Sequence, residues 1–369
     1  MLMKARRVGP DTSLFQYSYL SLNILNLGPP ASDSQTIICN CIFSENQALV
    51  ASVGDPLFNG GGGMCNHSCS PLVDSCTFEK NYSKFLGRGG GMYNYDASPT
   101  VTNCVFNANE AFHGGGMHNS ISYAVVTNSI FNANWATEAG GGIEYYTSGG
   151  AIMNSTFYRN GWSMCPTCSW PEDTVPYTQV EGAIYIDNGR RCTIINVILD
   201  SKAVRGWGGA VADRTPGLNQ TKTTLESCLF HENIKQDWDA SDWQEDPVDD
   251  HIYSETANQY NLLFDSDPLF KDASGGDFHL RYDSPCLDAG YNDKPGRMIA
   301  WDYQPYMLPT TDFDGDKRII DGDGDGRPAV DIGADEFIPN LPDLGAFLQA
   351  LLEAGEIEQA VGVRLLAYV

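Results

Sequence analysis

The strongest constraint on this chain is an internal repeat. Asn103-Cys104-Val105-Phe106-Asn107-Ala108-Asn109, followed by Gly114-Gly115-Gly116-Met117, returns as Asn128-Ser129-Ile130-Phe131-Asn132-Ala133-Asn134 with Gly140-Gly141-Gly142-Ile143. Aligned on the aromatic slot, copies fall at Phe43, Phe78, Phe106, Phe131, Phe157, Leu199 and Phe230, with spacings of 35, 28, 25, 26, 42 and 31 residues. The shortest spacings mark the bare unit, and the longer ones carry insertions. Three residues after the slot stand Asn46, Asn81, Asn109, Asn134, Asn160, Lys202 and Asn233. Three before it stand Asn40, Ser75, Asn103, Asn128, Asn154, Asn196 and Ser227. A further column runs Met64, Met92, Met117, Ile143, Ile184 and Val211, each preceded by small residues.

Glycine runs and asparagines oppose a helical solenoid. Short runs of β-branched and aromatic residues bounded by Gly, Asn and Ser are strand-and-turn chemistry. A period of about 25 residues without helices suits a coil of short strands, with equivalent residues of adjacent coils about 4.8 Å apart. Asn tolerates a left-handed corner, and stacked amides can bond from coil to coil. The expectation is an all-β solenoid over residues 36–292. Residues 1–35 read as an N-terminal segment and truncated cap without repeat register, 293–338 as an acidic Asp/Gly-rich segment, and 339–369 as a short helical tail. In that tail Leu344, Phe347, Leu348, Leu351 and Leu352 share a helical face.

Phe-x-x-Asn alternating with Gly-Gly-Ala-Ile/Leu/Val resembles the paired repeat motif of polymorphic outer membrane proteins of chlamydial type. Gly182-Ala183-Ile184 and Gly208-Gly209-Ala210-Val211 match its second half most closely. The resemblance covers roughly residues 36–290 and implies a right-handed parallel β-helix. That architecture serves adhesins, structural surface proteins and polysaccharide lyases alike, so it does not fix function. Asp267-Pro268-Leu269-Phe270, Asp277-Phe278-His279-Leu280 and Ser284-Pro285-Cys286-Leu287-Asp288-Ala289-Gly290 are similar to the closing segment of bacterial extracellular β-helix proteins, including those with a choice-of-anchor domain.

The formal net charge is −25. Such a balance argues against a nucleic-acid partner, because phosphate binding rests on Lys and Arg. It suits an extracellular or cell-surface protein that binds divalent cations. No run of 18 apolar residues exists, so no transmembrane helix is expected. The polar interruptions in 14–27 make a poor signal peptide, which places the expected true start upstream. Cys41, Cys76, Cys104 and Cys228 occupy the position two before the aromatic slot, where other copies carry Ser129, Ser155 and Val197. The exchange reads as a packing slot for a small side chain, with the thiols reduced. Cys165 and Cys168, inside the insertion 161–180, form half a zinc site at best; a local disulfide or an unremarkable loop stays open.

The tail carries the clearest chemical signal. Alternate carboxylates with intervening glycines, at Asp312, Asp314, Asp316, Asp321, Asp323, Asp325 and Asp331, are expected to converge on Ca²⁺, which takes six to eight oxygens. Asp321 to Gly326 fits the opening of an EF-hand or dockerin loop, but Ile332 stands at the twelfth position, so Ca²⁺ is expected without the EF-hand fold. A solvated acidic linker is the alternative. Just after the Met/Ile column come Tyr93, His118, Glu144 and Tyr185, expected by strand alternation to form an outward stripe that could hold a polysaccharide. Trp238 and Trp243, in an acidic stretch, complete the candidate carbohydrate-binding set. No Walker loop, H-E-x-x-H or G-x-S-x-G occurs, and the stripe holds no Lys or Arg to act as an elimination base; no catalytic residue is assigned. Two functions stay open. One is a structural or adhesive surface protein contacting a polysaccharide or a host or neighbouring cell. The other is a polysaccharide lyase or glycoside hydrolase of the pectate-lyase-like fold.

Overall fold

One repeat makes one turn of the chain. The strand Thr100–Thr102 ends at Asn103, whose φ of 52° turns a corner into Val105–Asn107. Ala108, at φ 52°, turns again into Glu110–His113, and Gly114, at φ 63°, leads into Met117–Ser120. A final turn at Ile121 returns the chain to Tyr123–Thr127, one layer on. The left-handed corner recurs at Asn40, Ser75, Asn128, Asn154, Asn196 and Ser227. Asn fills most of these positions because its short polar side chain tolerates that conformation. At Gly114 the demand is stricter: besides its positive φ, an added Cβ would come within 2.7 Å of His118 Cβ.

The computed structural model describes residues 36–48, 60–83, 86–161, 182–187, 191–201, 209–214, 223–233, 258–291 and 308–339, and strands at Ser13–Phe15, Ile24–Leu27, Val204–Arg205, Lys235–Gln236, Ile252–Tyr253, Met298–Ile299 and Tyr306–Met307. Stacked turns form a parallel β-helix with sheets of 15, 8 and 4 strands. Register is kept from coil to coil: Phe106 pairs with Phe78 and Phe131, and Met92 with Met64 and Met117. Two strands lie upstream of the expected start. Ser13–Phe15 pairs with 36–38 and Ile24–Leu27 with 64–67, both parallel. Backbone pairing needs no repeat side chains, which is why 1–35 shows no register in its sequence. The expected helical tail lies outside the described residues, apart from residue 339.

The interior is built on ladders of three kinds. Phe43, Phe78, Phe106, Phe131 and Phe157 stack face to face at 4.6–4.7 Å between ring centroids, within 6° of parallel. Beside them, each Asn side chain joins three coils. Asn109 Oδ1 accepts from Asn81 N (3.0 Å) and Nδ2 (2.9 Å), while its Nδ2 donates to Phe78 O (2.8 Å) and Asn134 Oδ1 (2.9 Å). The same pattern links Asn46 to Asn81 and Asn134 to Asn160. A second amide ladder, Asn66–Asn94–Asn119, runs behind the methionine column at 2.8–2.9 Å.

The third kind refines the cysteine slot. Cys104 Sγ donates to Thr102 O (3.1 Å) and accepts from Cys76 N (3.4 Å); Ser129 Oγ donates to Thr127 O (2.8 Å) and accepts from Cys104 N (3.2 Å). In most coils the slot therefore holds a small donor–acceptor, which Cys and Ser share, while Val197 fills it by packing alone. Cys76 and Cys104 are buried thiols outside any disulfide; Cys165 and Cys168 lie outside the described residues.

The solenoid ends sooner than the sequence suggests. After Leu263–Phe264 the chain forms an antiparallel pair, 270–272 with 277–280, and this joins residues 308–339 in a module packed along the rod. Ile198 and Leu229, which point out of the rod, meet Leu280, Cys286, Leu287, Ile332 and Phe337. Ile130 and Tyr158 meet Phe278 and Ala334. The Asn corners are gripped as well. Asn128 Nδ2 donates to Thr311 O (2.7 Å), and Gly333 N donates to Asn196 O (3.0 Å).

Asn109→Ala removes a hydrogen bond from each of four buried groups in two neighbouring coils, although Asn81 Nδ2 keeps Phe43 O and Asn134 Oδ1 keeps Asn109 N. At about 0.5–1.5 kcal/mol net for each bond, it should destabilise the rod by ~2–4 kcal/mol, read as a large fall in melting temperature; a change below 2 °C would contradict the ladder. Thiol titration of unreduced protein should find Cys76 and Cys104 protected when folded and reactive in guanidinium.

Candidate functional site

The outward stripe expected at Tyr93, His118, Glu144 and Tyr185 is buried. Each does point away from the core-facing Met/Ile column, yet Tyr93 is 0% and Glu144 1% exposed. Alternation fixes which side of a sheet a residue takes, not what covers it. Two residues that the sequence did not single out provide cover, Arg88 and His113. They sit in register just before the turn glycines Gly89 and Gly114, and those tight turns fold them back over the strand that follows. His113 Nδ1 lies 3.0 Å and His118 Nδ1 3.3 Å from Glu144 Oε2. The His118 ring packs on Tyr93 at 5.5 Å. Tyr185 is closed in with Ala139 and Ala212. The position before each turn glycine was the available clue.

This cluster places a carboxylate and two imidazoles in a dry setting. Burial alone would raise the Glu144 carboxyl, but the neighbouring imidazoles of His113, first, and His118 hold it well below the usual range. Burial works against charge on His113 too, yet the Glu144 carboxylate prevails and raises that ring above 6.5. Burial lowers His118. Glu144 thus pairs in charge with His113, while burial disfavours charge on His118; at 3.0 and 3.3 Å the three groups lie close without hydrogen-bond geometry, and His118 Nε2 has no partner among the described residues.

Solvent reaches this sheet two residues further along each strand. His67, Tyr95, Ser120, Tyr146 and Asp187 stand in register there, half-buried at His67, Tyr95 and Asp187, exposed at Tyr146 and buried at Ser120. His67 stacks on Tyr95 at 5.1 Å, Tyr146 is 40% exposed, and the Arg88 guanidinium lies 5.8 Å from the Tyr146 ring centroid. Trp238 and Trp243 lie outside the described residues.

The seven tail carboxylates do not converge on one point. Asp312 and Asp331, each 1% exposed, are consumed by backbone amides. Asp312 accepts from Asp314 N, Asp316 N and Glu336 N, and Asp331 from Asp288 N and Phe337 N. Burial and the nearby Glu336 push Asp331 up to about 8. Asp316 and Asp325 stay on the surface, and neither joins a three-ligand group among the described residues. Asp321 and Asp323 come together with Asp288, a residue outside the repeating Asp pattern, with ligand atoms within 4.8 Å of one another. Asp288 Oδ2 accepts from Gly322 N and Asp323 N, Asp321 Oδ2 accepts from Gly326 N, and the buried Asp321 Oδ1 has no hydrogen-bond partner. An all-oxygen group with an orphaned buried carboxylate oxygen fits a hard cation such as Ca²⁺. Asp314 goes elsewhere, to His279 and Asp335, and a third group is Asp200, His231 and Glu232.

His113→Gln leaves the buried Glu144 carboxylate short of its cation and should cost about 1–3 kcal/mol. Because His113 is raised in the folded state, its contribution is fully present below the unfolded value near 6.5 and is lost as pH rises through the folded value. The melting-temperature gap between the two proteins should therefore be widest in mild acid and narrow in alkali; a pH-independent gap would refute the pairing.

A family model described as right-handed beta helix region matches residues 30–162. No curated protein matches the chain. Among the described residues, no helix is long and apolar enough to cross a membrane. Coils in register, parallel sheets and this match agree: the chain is an all-β, right-handed parallel β-helix repeat protein.

Proposed function

We propose that the protein is a structural or adhesive β-helical rod of the cell exterior, its C-terminal module locked by Ca²⁺ at Asp288, Asp321 and Asp323. The observation that carries this reading is the orphaned Asp321 Oδ1, buried in a loop where every neighbouring carboxylate oxygen with a partner accepts from a backbone amide. Three carboxylates this close repel one another unless a cation neutralises them, and a cation that binds the ordered loop stabilises it by mass action. Sites of this kind in extracellular modules work at about 10⁻⁴–10⁻³ M Ca²⁺, which favours the exterior. Burial of the thiols is compatible with an oxidising setting.

The contact surface in this reading is the His67–Tyr95 stack together with the exposed Tyr146, two coils on from Tyr95 past the buried Ser120. These rings offer stacking faces to a polysaccharide, and Arg88 beside Tyr146 adds a hydrogen-bond donor. The column has no acid and base facing each other across open space, so binding without cleavage is favoured over the lyase or hydrolase reading. The buried His113–Glu144–His118 cluster serves the rod as an internal ion pair.

Calorimetric titration should give Ca²⁺ uptake by the wild type and at least tenfold weaker binding by Asp323→Ala, with the rod still folded. Equal uptake by both, or none by either, would reduce the loop to a solvated linker. Binding to a polysaccharide panel should be lost in Tyr146→Ala, with no unsaturated or reducing ends produced; release of such ends would establish the enzyme reading instead.

A further inference from the structure

We propose that His279, Asp314 and Asp335 form a second cation site, one for a first-row transition-metal ion of the zinc class. It is independent of the Ca²⁺ reading and uses different residues. The ligands come from three separate segments: the strand Asp277–Leu280, the turn after Asp312, and the turn before Glu336. His279 Nε2 lies 2.7 Å from Asp314 Oδ2 and 3.9 Å from Asp335 Oδ1. The Asp335 side chain is 12% exposed, and among the described residues no hydrogen bond reaches its carboxylate.

The other ring nitrogen identifies the chemistry. His279 Nδ1 lies 2.5 Å from Asp277 Oδ1, whose carboxylate also accepts from His279 N. With one proton held on Nδ1 by Asp277, Nε2 faces two carboxylates. At 2.7 Å the Nε2–Asp314 contact is a charge-assisted hydrogen bond of a doubly protonated ring. A metal ion would take the place of that Nε2 proton, with the two ligand atoms parting to the wider spacing that a shared ion requires. A metal-bound His whose far N–H is held by a carboxylate is the usual arrangement for orienting the ring and strengthening it as a ligand. One imidazole with two carboxylates suits zinc-type ions, whereas Ca²⁺ and Mg²⁺ take oxygen donors. Water completes the shell, because Asp314 and His279 are open to solvent. Binding replaces the Nε2 proton, which passes to the buffer.

The test uses the full chain, stripped of metal and held in excess Ca²⁺, with ZnCl₂ as titrant in a calorimeter. The wild type should bind one more equivalent of Zn²⁺ than His279→Ala, and its melting temperature should rise with Zn²⁺ where that of His279→Ala does not. Asp277→Asn, which disturbs only the positioning of the ring, should weaken binding about 10–100-fold. His231→Ala removes the separate Asp200–His231–Glu232 group and should leave this equivalent in place, as should Asp323→Ala, which loses Ca²⁺ instead. Equal stoichiometry and affinity in wild type and His279→Ala, or no Zn²⁺ uptake by the wild type, overturns the proposal and leaves the ring as a doubly protonated ion-pair partner.

Discussion

Everything in this molecule depends on one amide sitting above the next. An Asn side chain has two donors and an acceptor oxygen with two lone pairs. At Asn81, Asn109 and Asn134 both functions are used, and the bonds join each coil to its neighbours on both sides. The corner amides would otherwise be buried without partners, at a cost no small apolar core could offset. With them satisfied, the phenylalanines are held at a spacing where ring faces meet, and the sheets stay in register. Stability of this kind is a sum of nearest-neighbour terms, so a break at one coil isolates its neighbours instead of being spread over the whole rod.

That dependence also explains what the sequence revealed. Asn109, Phe106 and Gly114 occupy columns because each layer presents the same demand, and repetition makes such demands legible. Even the cysteine slot was visible as an exchange of Cys for Ser, although its hydrogen-bonding basis needed Sγ and Oγ placed against the equivalent carbonyl, two residues back, in each coil. Demands met once leave no such trace. Arg88 and His113 cover Glu144 from a neighbouring column, and nothing in a single strand's alternation announces them. Asp288 joins Asp321 and Asp323 from 33 and 35 positions away. Arg318 reaches Asn128 Oδ1 across 190 residues. In the tail, spacing suggested one dense carboxylate cluster, but the chain satisfies its backbone amides first and leaves only some oxygens free for cations.

The two carboxylate groups proposed for cations and the tail's apolar contacts share one result. A segment rich in Asp and Gly has little hydrophobic surface of its own and a large ordering entropy to overcome. It meets that demand by borrowing the outer face of the rod: Ile198, Leu229 and Ile130 are as much its core as the rod's surface. Arg318 completes the joint, buried against Glu336 while donating to Ala334 O and to a corner Asn of the solenoid.

This joint divides the rod into two regions with different freedom to change length. The module touches the coils of Asn128, Thr156 and Asn196 at fixed heights. A coil gained or lost between those points would pull Thr311 and Gly333 out of step with their partners by a full layer. Upstream of Asn128, among the coils of Phe43, Phe78 and Phe106, no such measure applies, and each layer presents the next with nearly the same surface it receives. Duplication or deletion of a whole repeat there would alter the reach of the molecule and leave its anchored end intact. Lineages of such chains should therefore differ in length at one end and agree at the other, a telescoping built into the geometry of stacking.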